Sequence, residues 1–272
     1  MKRLSLLLIL ALAMFIWAAD GFSYMIDDNT KVLQKRSNGG GYGTTWTDVI
    51  GSPSQFNVYG IDISFSSGNI IFDMYANFNS EYHLEPYNIY TYIADLAIDV
   101  DQNGDYDYGV ILLNHNEWQH GVHTPLFNGG VGLYSVSSWE TSFDFMDKYT
   151  SPMVYYGGKW EENDPKISMV AIKSGTQIGN ANITFTDIPD SNPNYKWTAT
   201  FDYNLVPGLA DGFDIFWGGM TCSNDAIGGS VDAVSGSISS IPEPATLVLT
   251  SFGLIALAAI GKRRVKNCRR KQ

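Results

Sequence analysis

The chain has 272 residues, of which 17 are basic and 28 acidic, giving a formal net charge of −11, and it contains two cysteines, Cys222 and Cys268. A surplus of negative charge repels phosphate backbones and anionic headgroups, which excludes nucleic acid as a partner, and two cysteines cannot build a disulfide scaffold. With 44% hydrophobic and 14% aromatic residues, the chain can bury a substantial core.

At the start, Lys2 and Arg3 precede an uncharged run over 4–17, the length of a secretory h-region, and Ala19-Asp20-Gly21 offers small residues for cleavage. Residues 1–21 therefore read as a signal peptide, with the mature chain beginning at Phe22. The body, 22–234, is dense in Tyr, Phe, Val, Ile, Thr and Trp. Gly, Asn, Asp and Ser break it into short runs with almost no helical periodicity. Strands are predicted over 56–64, 69–77, 93–100, 106–113, 132–136, 153–156, 166–173, 181–186, 196–203, 213–217 and 229–234. That many short strands in one body predict an all-β fold, a single β-sandwich of jelly-roll type, with a closed barrel as the second architecture.

Residues 235–241 follow as a small, polar linker, and 242–272 form a terminal block. It opens with Pro242-Glu243-Pro244 and continues with an uncharged apolar stretch over 245–261. It ends in seven Lys or Arg, from Lys262 to Lys271. The stretch has about the length of a short transmembrane helix, and positive charge beyond a span stays in the cytoplasm. The body is thus expected outside the cytoplasm, with Cys222 and Cys268 on opposite sides of the membrane and unable to pair. Cys222 is expected to be a small buried hydrophobe. Without the two terminal segments, eight basic and 26 acidic residues remain, about −18 for the exported body.

The sharpest internal motif is Asp99-Val100-Asp101-Gln102-Asn103-Gly104-Asp105-Tyr106-Asp107. Oxygen ligands at Asp99, Asp101, Asn103 and Asp107 around a turn glycine match the first part of a calcium loop. Val110 stands where a bidentate Glu would close an EF-hand, and strands are predicted on both flanks, so a helix–loop–helix is excluded. Two readings stay open. One is a hairpin turning on a type I′ Asn103-Gly104 with its acids in water; the other is the same hairpin holding calcium. His115, His120 and His123 cluster just beyond, either as a plain surface loop or as ligands of a transition metal. Trp118 and Trp160, in polar loop-like settings, are the aromatic residues best placed to stack on a sugar ring. No nucleophile–base pattern such as G-x-S-x-G or H-E-x-x-H occurs, and no catalytic residue is assigned.

The terminal block closely resembles the PEP-CTERM sorting signal of bacterial exosortase substrates: Pro-Glu-Pro, one transmembrane helix and a basic end. The resemblance implies a Gram-negative host that makes exopolysaccharide. It also implies passage through the inner membrane on the C-terminal helix, and processing near Pro242-Glu243-Pro244 by exosortase, a membrane-embedded cysteine protease. Blocks of the body, among them Thr47-Asp48-Val49-Ile50-Gly51, Val58-Tyr59-Gly60-Ile61-Asp62, Asp95-Leu96-Ala97-Ile98-Asp99-Val100-Asp101, Leu133-Tyr134-Ser135-Val136-Ser137-Ser138-Trp139 and Trp217-Gly218-Gly219-Met220-Thr221-Cys222-Ser223-Asn224-Asp225, are similar to uncharacterised PEP-CTERM surface proteins. More distantly, the acidic hairpin is similar to carbohydrate-binding β-sandwiches of the family-nine and DOMON type. Together these imply a non-enzymatic cell-surface or matrix protein associated with exopolysaccharide. A polysaccharide hydrolase or lyase on the same fold, and a purely structural matrix protein, are the alternatives.

Overall fold

The computed structural model describes residues 23–28, 30–35, 47–49, 51–84, 89–117, 127–141, 153–157, 166–167 and 169–233. Contacts divide the chain into units 1–233 and 234–272. The signal peptide, the linker, the sorting motif and the C-terminal helix expected from the sequence lie outside the described residues. Among the described residues no helix is long and apolar enough to cross a membrane.

Strands dominate, as the composition requires. In chain order they are β1 (Ser23–Asp27), β2 (Lys31–Lys35), β3 (Val58–Ser66), β4 (Asn69–Ala76), β5 (Glu81–Leu84), β6 (Ile89–Tyr92), β7 (Leu96–Asp99) and β8 (Tyr108–Ile111). There follow β9 (Gly132–Thr141), β10 (Met153–Gly157), β11 (Lys166–Ile167), β12 (Met169–Gly179), β13 (Asn182–Asp187), β14 (Tyr195–Asp202), β15 (Phe213–Trp217) and β16 (Ile227–Val231). One short helix, α1 (Pro53–Phe56), precedes β3. The β3–β4 hairpin shows how sequence makes these elements. Ile70, Phe72, Met74 and Ala76 alternate with half-buried Asn69, Ile71, Asp73 and Tyr75, so one face of β4 is apolar. The connecting Ser67 and Gly68 both have positive φ, 52° and 85°, between Ser66 and its register partner Asn69. That is the two-residue type I′ geometry whose twist suits a hairpin.

Two antiparallel sheets carry most of the chain, one ordered β1-β3-β4-β14-β13 and the other β12-β9-β8-β7-β15-β16. Their inward residues meet through rings. Phe72 lies 5.9 Å from Phe201 in its own sheet and 6.2 Å, edge-on, from Phe213 in the other, while Phe78 lies 5.5 Å from Trp217. The Trp217 indole N–H donates to the carbonyl of Ala94 at 3.1 Å, so this fully buried ring leaves no polar atom unpaired. At one margin β1 approaches β16, where Gly228 N–H donates to Thr30 Oγ1 at 3.2 Å. The outward face of the six-stranded sheet bears a second apolar cluster of Ala97, Tyr106, Phe216 and Ala226, flanked by Trp139 and Met169.

Most predicted strands find a counterpart, with shifted ends. Residues 93–95 do not join the sheet ladder; they are held by Ala94 N–H to Gly219 O and Asp95 N–H to Val170 O. β9 and β12 run further than predicted, through polar Ser137, Ser138 and Ser174, because they pair with each other along nearly their whole length. β1, β2, β5 and β6 fall outside the predicted strands.

Replacing Phe72 by Ala removes a ring enclosed by two others and should cost about 3–5 kcal/mol, while Ile71→Ala on the opposite face should cost about 1 kcal/mol. Urea midpoints of the two variants measure the difference.

Candidate metal centre

β7 and β8 pair only as far as Ile98 and Tyr108, leaving the chain between them to form the acidic loop. Positive φ occurs at Gln102 (54°) and Gly104 (93°) and not at Asn103, so the expected type I′ turn at Asn103-Gly104 does not form. Side-chain acceptors shape the loop instead. Asp101 Oδ1 accepts from Asn103 N–H at 3.3 Å and Asn103 Oδ1 from Asp105 N–H at 2.7 Å, two successive Asx turns. Asp99 Oδ2 reaches across to accept from Gly104 N–H at 2.7 Å. Tyr106 anchors the far side: its ring packs on Phe216 at 6.2 Å and its carbonyl accepts from the Trp139 indole N–H at 2.8 Å.

This curl brings Asp99, Asp101 and Asp107 together, each offering an oxygen within 4.8 Å of the others. Asp101 is exposed, Asp107 half-buried and Asp99 fully buried. Burial raises the Asp99 pKa above the ordinary carboxylate range; the Gly104 N–H opposes that rise and Asp101 adds to it. Burial also raises that of Asp107, followed by the charges of Asp101, Asp99 and Asp105. No basic side chain relieves the cluster among the described residues, whose ion pairs, His115–Asp95 and Lys196–Asp73, lie elsewhere. Asp214, the register partner of Asp99 on β15, accepts from Gln102 Nε2 at 3.0 Å and adds a further acid nearby.

One atom decides what this arrangement can do. Among the described residues three buried side-chain polar atoms lack a hydrogen-bond partner: Asp99 Oδ1, Trp197 Nε1 and Ser223 Oγ. Only the first is a carboxylate oxygen, and its residue belongs to the convergent trio. A buried anionic oxygen without a partner is costly, and a hard cation held by carboxylates removes that cost. Of the four ligands expected from sequence, Asp99, Asp101 and Asp107 converge, while the Asn103 oxygen is engaged by Asp105 N–H in forming the loop.

No protein-family model, curated protein or solved structure matches the chain.

Of the three clustered histidines, only His115 lies among the described residues, and it does not fit the metal reading. His115 Nε2 lies 3.0 and 3.2 Å from the Asp95 carboxylate oxygens, and Nδ1 lies 3.0 Å from the Phe127 carbonyl. Both partners are acceptors, so both ring nitrogens carry protons and neither is open to a metal. Burial alone would lower the His115 pKa, but Asp95 and the Phe127 carbonyl outweigh it and hold the ring cationic above its ordinary range. His120, His123, Trp118 and Trp160 lie outside the described residues, as does Pro242-Glu243-Pro244. Cys222 is the buried hydrophobe expected, its thiol pushed up to about 11 by burial.

A second acidic group, formed by residues far apart in sequence, had no spacing signal. Asp225, 2% exposed, accepts from Val58 N–H at 2.7 Å through Oδ2 and from Ala226 N–H at 2.8 Å through Oδ1. Burial, then the nearby Asp28, raise its pKa well above the usual value. Asp28 is raised to about 7 by burial and then by the charge of Asp48, against a hydrogen bond from Thr30 N–H.

Raised carboxyl pKa values mean that the folded state binds more protons than the unfolded one. The stability contributed by Asp28 is thus fully present below its ordinary value of 3.8 and is lost as pH rises through about 7. His115, also raised, acts with the same sign at higher pH. Melting temperature followed across pH should fall over the Asp28 window, and Asp28→Asn should flatten the fall there while leaving the His115 part.

Proposed function

We propose that the chain is an exported cell-surface or matrix protein without enzymatic activity, built on a β-sandwich of jelly-roll type that holds calcium in its 99–107 loop. The two antiparallel sheets with ring contacts between them, Phe72 to Phe213 and Phe78 to Trp217, support the sandwich. The observation that carries the calcium reading is Asp99 Oδ1, buried and unpartnered within reach of Asp101 and Asp107. Three carboxylates without nitrogen or sulfur ligands suit a hard ion of flexible geometry, which takes six to eight oxygens, better than zinc or copper. Because Asp101 is exposed, part of the ion's coordination faces solvent, open to hydroxyl or carboxylate oxygens of an extracellular polysaccharide. In a body that is otherwise strongly acidic, a divalent cation is also what would let it approach an acidic polymer.

The address comes from the ends of the chain: a signal peptide over 1–21, and a PEP-CTERM block over 242–272 that passes through the inner membrane and is processed by exosortase. The non-enzymatic reading is supported by groups already committed elsewhere, His115 through both nitrogens and Cys222 as a buried thiol. Away from the acidic loop, Asp62 and Asp73 form an acid pair opposite each other on β3 and β4. Tyr75 OH donates to Asp62 at 3.1 Å, while Lys196 and Thr198 both donate to Asp73, so the pair is bound into the sheet surface.

Calorimetric titration of the full chain in detergent should show saturable calcium binding, with a stabilisation of about 2.7 kcal/mol at a hundredfold excess over Kd. Asp101→Ala and Asp107→Ala should each abolish both. Absence of heat together with unchanged melting in the parent chain would reduce the loop to a turn. For the address, Glu243→Ala should leave the uncleaved chain in the inner-membrane fraction, detected by its size.

A further inference from the structure

β13 differs from the strands around it. Of its six residues only Ile183 is half-buried and the other five are exposed, on both faces of the sheet. It pairs with β14 along one edge in unbroken register from Asn182–Thr200 to Asp187–Tyr195, and among the described residues no strand takes the other edge. That edge presents backbone N–H and C=O groups without a ladder partner, a template for another extended segment. The usual blocks are absent from it: Asn182-Ile183-Thr184-Phe185-Thr186-Asp187 contains no Lys, no Pro and no bulge, and its one charge stands at the end. Phe185, 44% exposed, stacks on Tyr195 at 5.4 Å and leans on Trp197 at 4.8 Å, so a rigid aromatic surface adjoins the open edge.

We propose that β13 is a self-association edge, to which a second copy of this chain adds its own β13 antiparallel, about a two-fold axis at Thr184. A two-fold normal to the sheet keeps like faces together, so residues of equal parity oppose one another. Centred on Thr184, Ile183 faces the partner's Phe185, Asn182 faces the partner's Thr186, and Thr184 faces its own equivalent. The exposed Phe185 and the half-buried Ile183 are then covered on one face, polar pairs occupy the other, and Asp187 stands opposite the partner's Ala181, away from its own equivalent. The neighbouring centre at Phe185 would instead set Ile183 against Asp187. This self-complementarity is why the occupant is a second copy and not an unrelated strand. A single six-residue edge falls below the roughly 1,200 Å² of standard interfaces, so one such contact is weak. The repulsion of two acidic bodies weakens it further at low salt. Copies crowded on one surface, as in the proposed display, would raise the effective concentration that such an edge needs. The pairing itself requires neither calcium nor processing.

Opposed residues of an antiparallel pair bring their Cβ atoms to about 4.5–5.5 Å, close to disulfide reach. The test is cysteine cross-linking of the full chain in detergent under a mild oxidant, in a Cys268→Ser background and with EDTA present. Thr184→Cys should give a disulfide-linked dimer whose yield rises with ionic strength. Asn182→Cys and Thr186→Cys, each facing a non-cysteine, should give about tenfold less. Adding Ile183→Lys to Thr184→Cys should lower the yield by about tenfold at unchanged melting temperature, since an edge lysine opposes pairing. No dimer from a folded Thr184→Cys chain, or equal yields at all three positions, would overturn the proposal.

Discussion

The ring contact between Phe72 and Phe213 joins two sheets that share no ladder, and the placing of the remaining features follows from it. Phe213 opens β15, the strand that pairs with β7 and so puts Asp214 beside Asp99 at the end of the acidic loop. With the inward face of that sheet filled by Phe213, Ile215 and Trp217, the alternate residues Asp214 and Phe216 fall on the outward face. There Phe216 receives Tyr106 and pulls the loop down onto the sheet. The depth at which Asp99 is buried is thus a consequence of packing in two layers, one on each side of a single sheet.

A strongly acidic chain must deal with each carboxylate that it buries, and three different devices are visible. Asp95 is met by a cationic histidine and by Ile172 N–H. Asp225 takes two backbone N–H groups and, with its pKa raised, keeps a proton when ordinary carboxyls have lost theirs. Asp99 has one oxygen satisfied by Gly104, while its Oδ1 has no hydrogen-bond partner among the described residues. The first two are closed within the fold. The third leaves one carboxylate oxygen open, which separates it from the other two.

Sequence reading reached the β-rich architecture because the signal is local: alternating residues on β4, β14 and β15 and turn residues between them. β1, β2, β5 and β6 were missed because four or five residues with mixed polarity carry too little periodicity to stand out. The type I′ turn expected at Asn103-Gly104 fails to form for a physical reason. Asn103-Gly104 has the right residue types, but Asp101 and Asn103 side chains offer the backbone competing acceptors and bend it otherwise. Ser67-Gly68, with no such competitor, adopts both positive φ values. The trio Asp99, Asp101 and Asp107 was legible from spacing alone, whereas the burial of Asp99 and the meeting of Asp28 with Asp225 depend on contacts between distant strands.

His115 also fixes where the chain can change. Its backbone N–H donates to Gly129 O at 3.1 Å and its ring to Phe127 O, so the two ends of the intervening segment are tied to each other and, through Asp95, to the sheet. A segment closed at its base in this way can be lengthened at an entropic cost that grows only with the logarithm of its length. Residues inserted between 117 and 127 would therefore cost mainly loop-closure entropy, with the His115 clasp holding the two ends together.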